Sequence, residues 1–116
     1  DGEQIRCFAH VGEVADTVIR LMDTPAALGR VHNIGSDQSV SIRDLAAEIA
    51  RRIDPRVQIT FIPYGQAYGD DFEDIRRRVP DLTRLQQTLG SKPSKPLGDI
   101  LDEIITHKRA QLASGA

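Results

Sequence analysis

Residues 41–55 constrain the chain more than any other stretch. Ile42, Leu45, Ala46, Ile49, Ala50 and Ile53 recur at i, i+3, i+4, i+7, i+8 and i+11, which is one face of an α-helix. Ser41 ahead of them suits an N-cap, because its hydroxyl can accept from an open amide of the first turn. Asp44 favours the positive end of the helix dipole. Asp54-Pro55 ends the run, since a residue before proline is pushed out of the α region. On either side the pattern changes. Arg30-Val31-His32-Asn33-Ile34, ended by Gly35, reads as a strand. Val57, Ile59 and Phe61 alternate with Gln58, Thr60 and Ile62, which predicts a second strand with one face buried. Strand 30–34, helix 42–53 and strand 57–62 predict a short parallel βαβ unit with a right-handed crossover, and so an α/β fold.

Further helices surround this unit. Val11, Val14, Ala15, Val18, Leu21 and Met22 share a helical face that Thr24-Pro25 stops. Asp81 can cap a short helix carrying Leu82, Leu85 and Leu89 and stopped by Gly90. Leu97, Ile100, Leu101, Ile104 and Ile105 make the stripe of a last helix. Residues 5–10 hold a short apolar stretch that can be extended. Residues 63–80 read as a loop, punctuated by Pro63, Gly65, Gly69 and Pro80, with Asp70, Asp71, Glu73 and Asp74 ahead of Arg76-Arg77-Arg78. Loops of that length are often functional. Residues 113–116 read as a frayed, disordered tail. The chain opens on Asp1 and a polar segment, so 1–116 reads as a piece of a longer chain.

Composition removes several classes of function. Lys plus Arg number 15 against 17 for Asp plus Glu, a net charge of −2, where a nucleic-acid binder shows a basic excess. Cys7 is the single cysteine, which excludes an internal disulfide and a multi-cysteine metal site. His10, His32 and His107 fall on separate elements without ligand spacing, so no metal is expected. No apolar run approaches the ~18 residues of a membrane span, and the expected setting is cytoplasmic. No glycine-rich loop is placed to cradle a phosphate chain.

Three features are candidates for binding an anion. A guanidinium fork matches two phosphate oxygens at once, which points to Arg6 and to the block Arg76-Arg77-Arg78. An asparagine amide leaving a strand can donate to another oxygen, with a glycine beside it for close approach, which points to Asn33 in Asn33-Ile34-Gly35. The plainer alternatives are that Arg76-Arg77-Arg78 is a solvated charge run balanced by the acids before it, and that Asn33-Ile34-Gly35 is a turn.

The order of these pieces resembles a known family. Gly2-x-Gln4-x-Arg6-x-Phe8-x-His10-Val11 comes first, followed by Val31-His32-Asn33-Ile34-Gly35 and Ser41-Ile42-x-x-Leu45-Ala46. Arg77-Arg78-x-Pro80-Asp81 and Leu89-Gly90-x-x-Pro93 complete the series. Together they are similar to the C-terminal lobe of the extended short-chain dehydrogenase/reductases, from Gly2 to about Arg109. These are the NAD-dependent sugar-nucleotide epimerases, dehydratases and decarboxylases, and the UDP-glucuronate decarboxylase and UDP-glucose 4-epimerase-like branches are nearest. The resemblance implies a substrate-binding lobe in which Arg6 reaches the diphosphate of a UDP- or TDP-sugar. It implies that Arg78 reaches the nucleotide's phosphate or ribose side, that Asn33 lies near the ligand, and that loop 63–80 covers it. The family's Tyr-x-x-x-Lys pair and NAD loop have no counterpart here, so the resemblance places NAD and the catalytic residues on an N-terminal Rossmann domain outside this chain. The lobe alone is then expected to be inactive, with that domain as its partner, and its uncovered apolar surface predicts dimerisation or other self-association. Two other readings stay open: a non-catalytic interaction module using 63–80 as its surface, and a lobe of a degenerate dinucleotide sensor of the same fold.

Overall fold

The computed structural model describes residues 2–67 and 74–115. Along the chain run β1 (Ile5–Cys7), α1 (Val11–Met22), a 3-10 turn at Pro25–Ala27, β2 (Ser39–Ser41) and α2 (Ile42–Ile53). A short helix α3 (Tyr64–Ala67), then α4 (Thr83–Leu89) and α5 (Leu97–Ala113), complete it. β1 and β2 form a two-stranded sheet.

The helix ends follow local chemistry. Ser41 Oγ accepts the Asp44 N–H at 3.0 Å and so caps α2, as its position predicts. His10 caps α1, with Nδ1 accepting the Gly12 N–H at 3.1 Å. The Asp81 carboxylate accepts the Thr83 N–H at 2.9 Å at the start of α4, and that backbone hydrogen bond holds the Asp81 carboxyl below its ordinary 3.8. Gly90 closes α4 in the left-handed conformation, φ 71°, where a side chain would be strained.

The chain divides into two compact units. One is Asp1–Arg6 with Val40–Arg78, and the other is Cys7–Ser39 with Val79–Ala116. The second unit holds the apolar core, where Leu82, Leu85, Ile100 and Leu101 are buried. Polar contacts tie α1 to its neighbours there. Arg20 donates to Ser91 Oγ at 2.8 Å and to the Leu89 carbonyl at 3.0 Å. The Glu13 carboxylate accepts the N–H groups of Ser94 and Lys95, both at 3.0 Å, just ahead of α5. Val11, Val18, Ile19 and Met22 nevertheless leave the outer side of α1 exposed and apolar.

The first unit is different. Among its described residues no large apolar side chain is fully buried, and Ile53, Val57 and Phe61 are about half exposed at 53%, 54% and 50%. Local opening free energy rises with buried apolar contact. Amides of α2 are therefore expected to exchange at least about tenfold faster than those of the Ile100–Ile104 turn of α5. Hydrogen exchange read by mass spectrometry checks this, and equal protection of the two helices would contradict it.

One expectation is corrected. The structure has no strand at 30–34 or 57–62, so the predicted βαβ unit is absent. Alternation marks which face a strand could bury, but a strand also needs an edge to receive its hydrogen bonds. Val31 is instead 78% exposed and residues 57–62 run as irregular chain. Parallel pairing occurs elsewhere, as an isolated bridge between Ile5 and Arg77. Within 63–80 the chain holds α3 and the bridged Arg77. Residues 68–73 lie outside the described residues. At the far end α5 runs through Ala113 into the stretch read as tail. There the Ser114 N–H donates to the Ala110 carbonyl at 3.1 Å, and Ala116 is not among the described residues. Among the described residues no helix is long and apolar enough to cross a membrane.

Candidate functional site

The Ile5–Arg77 bridge organises the first unit's arginines. The Ile5 N–H donates to the Arg76 carbonyl at 2.7 Å, and the Arg78 N–H donates to the Ile5 carbonyl at 3.0 Å. Arg6 and Arg78 each follow one residue after the bridged pair. Side chains alternate along extended chain, so a continued pairing would turn both to the face opposite Ile5 and Arg77. Residues 68 positions or more apart in sequence thus meet at one short stretch of backbone pairing.

The Arg6 guanidinium is held in place. Nη1 donates to the carbonyls of Ile5 and Ile75, both at 2.8 Å, and Nη2 pairs with Asp74 Oδ1 at 2.6 Å. Its side chain is only 17% exposed. Arg78 is exposed. One ordered and one exposed guanidinium on a common face can grip an anion with two charged forks, the stronger kind of hydrogen bond. Asp74 occupies part of the Arg6 fork and would compete with such an anion.

Asn33 belongs to the second unit. Its Nδ2 donates to the Asp81 carbonyl at 3.1 Å. With Val31, Asp81 and Arg84 it lines a small polar pocket of about 190 Å3, where Arg84 Nη1 donates to the Val31 carbonyl at 2.8 Å. The structure thus places the backbones of Arg6 and Arg78 beside the same bridge, and holds Asn33 against Asp81 in its own unit.

A feature without a role in the sequence reading lies in the first unit. An open pocket of about 240 Å3 is lined by Gln4, Ile42, Arg43, Ala46, Ile59 and Phe61, among others. Arg43 stands over the Phe61 ring, 5.4 Å from its centre, and pairs with Glu3 at 2.8 Å. Gln4 is 8% exposed. The signal available beforehand was its place two residues ahead of Arg6, on the same side of an alternating stretch. Among the described residues no group of three or more His, Cys, Asp or Glu could hold a metal.

No family model matches the chain. The chain is 33% identical over 94 residues to a UDP-N-acetyl-α-D-glucosaminuronate decarboxylase of Bacillus cytotoxicus, over 81% of the chain and 29% of that enzyme. It is similar in fold to TunA, an NAD-dependent NDP-hexosamine 5,6-dehydratase of tunicamycin biosynthesis. The TM-score is 0.65 and the identity 22%, over 88% of the chain and 31% of TunA. A second solved structure, MoeE5 in complex with UDP-glucuronic acid and NAD, matches with a TM-score of 0.57 and 25% identity, over 88% of the chain and 32% of MoeE5. The chain spans less than a third of the length of the curated relatives it matches, between 20% and 31%.

Proposed function

We propose that the chain, a member of the extended short-chain dehydrogenase/reductase family of sugar-nucleotide enzymes, is the part of such an enzyme that holds the substrate's diphosphate. The observation that supports this reading is the Ile5–Arg77 bridge, which sets the backbones of Arg6 and Arg78 side by side. A diphosphate carries about two negative charges, and each guanidinium can take two of its oxygens. Arg6 is already ordered by Asp74 and two carbonyls, so little freedom is lost when it binds. Binding energy gathered at the diphosphate, remote from the sugar carbons, orients the sugar for chemistry carried out elsewhere.

The relatives with solved structures use NAD. The described residues of this chain do not fit that cofactor, since no glycine-rich turn joins a strand to a helix in the way that cradles a pyrophosphate. No hydride or proton step is therefore assigned to its residues. A Rossmann domain as partner, and a decarboxylation, dehydration or epimerisation as the reaction, belong to the same proposal. The 116-residue chain by itself is expected to turn over no sugar nucleotide.

Calorimetric titration tests the reading. UDP added to the chain is expected to bind at one site, to be displaced by inorganic pyrophosphate, and to weaken as salt rises. Absence of UDP binding, or binding that pyrophosphate leaves untouched, would overturn it.

A further inference from the structure

We infer that His10 is a proton-operated cap: the neutral imidazole closes the first turn of α1, and a proton on Nδ1 opens it. Two partners fix the tautomer of the ring. Nδ1 accepts the Gly12 N–H at 3.1 Å, so that nitrogen carries no hydrogen. Nε2 then holds the ring's single hydrogen and donates it to Glu103 Oε2 on α5, 2.8 Å away. Protonation adds a hydrogen at Nδ1, where two N–H donors would face each other. The cap is then lost, and the Gly12 amide joins the open donors of the helix start. Residue 12 is built for this close approach. A Cβ there would stand 3.0 Å from Nδ1 and 3.1 Å from Cε1, a crowding that glycine avoids. The His10 side chain is 25% exposed, so protons reach it from solvent.

The charged groups around the ring leave the imidazole as the one that switches. Glu103 pairs with Lys95 as well as with His10. Hydrogen bonds from Lys95 first, and from His10 second, hold its carboxyl below the ordinary 4.5. Glu103 therefore stays ionised where an imidazole changes charge, between about pH 5 and 8. His107 and Lys108 of α5 line the same groove as His10 and Glu103. Glu13, in the first turn of α1, is committed to the N–H groups of Ser94 and Lys95. Glu103 favours the protonated ring, but its side chain is 52% exposed and shared with Lys95, and such a pair contributes little. The charged ring keeps Glu103 and gives up Gly12. Acid thus releases the first turn of α1, and with it loosens the grip of Glu13 on the segment that leads into α5.

Nuclear magnetic resonance of the chain between about pH 8 and 5 tests this. At the upper end the ring nitrogen signals of His10 are expected to show the hydrogen on Nε2, a reading that needs no substitution. On acidification the Gly12 amide signal is expected to move on the same curve as the His10 ring. Its hydrogen-exchange protection should fall about fivefold as the cap is lost. His10→Asn supplies a cap that takes up no proton, so there the Gly12 signal should stay fixed and its protection persist. In His107→Gln the native titration of Gly12 should survive. A hydrogen on Nδ1 at the upper end, or a Gly12 signal indifferent to the His10 titration, would overturn the switch. So would a Gly12 titration that persists in His10→Asn or vanishes in His107→Gln.

Discussion

Replacing Arg6 and Arg78 together by alanine is expected to lower UDP affinity by about a hundredfold or more. Hydrogen bonds to charged groups contribute roughly 1.5–3 kcal/mol each, and about 1.4 kcal/mol is a factor of ten. Each single replacement should therefore cost about tenfold or more. The two need not add, because they act on one ligand. Arg6→Ala should be the worse of the pair. It removes a fork and also deprives Asp74 of its 2.6 Å partner, leaving a carboxylate beside the incoming diphosphate. By the same logic Asp74→Asn alone should tighten UDP binding, since it releases the fork without removing it. Calorimetry on the three single variants and the double variant reads all of this. Loss confined to one arginine, with the other silent, would break the shared-face account. In the full enzyme, Arg78→Ala should weaken nucleotide-sugar binding far more than NAD binding, and equal loss of both would remove its role.

Leu85→Ala is expected to destabilise the second unit by about 2–5 kcal/mol. Leu85 is the large side chain with no exposure at all, packed in the unit that also buries Leu82, Ile100 and Leu101. Its truncation removes the transfer free energy of the lost atoms and leaves a cavity behind. Against a total stability of roughly 5–15 kcal/mol for an ordinary domain, that loss is decisive. Ile53→Ala on α2, at a half-exposed side chain, should cost well under half as much. Denaturant unfolding of the two variants gives the comparison. Similar small losses at both positions would mean that the core does not sit where the burial pattern puts it.

Helices α1, α2, α4 and α5 were legible because their signals are local. Ser41 and Asp54-Pro55 bound α2 to the residue, and Thr24-Pro25 and Gly90 lie just beyond the ends of α1 and α4. The strands were not, because strand formation is settled by a distant edge. Residues 57–62 have the right alternation and no ladder, whereas β2, Ser39–Ser41, is short and largely polar and has one. The Ile5–Arg77 bridge could not be read from either segment alone, since register between residues 72 positions apart is a tertiary fact. Guanidinium chemistry pointed to Arg6 and the arginine block, the resemblance picked out Arg78 within it, and it is the bridge that sets the backbones of Arg6 and Arg78 side by side. Gln4 stands in the Gly2-x-Gln4-x-Arg6 series without a role of its own, because a lone glutamine before a strand carries no chemical signature until its burial and the pocket are known.

The most direct measurement is nuclear magnetic resonance of the guanidinium Nε–H groups during titration with UDP. The account predicts that the Arg6 and Arg78 signals move together along one binding curve, and that Arg84, in the other unit, stays where it is. Movement of only one of the two, or separate curves with different midpoints, would mean that they do not hold the same anion.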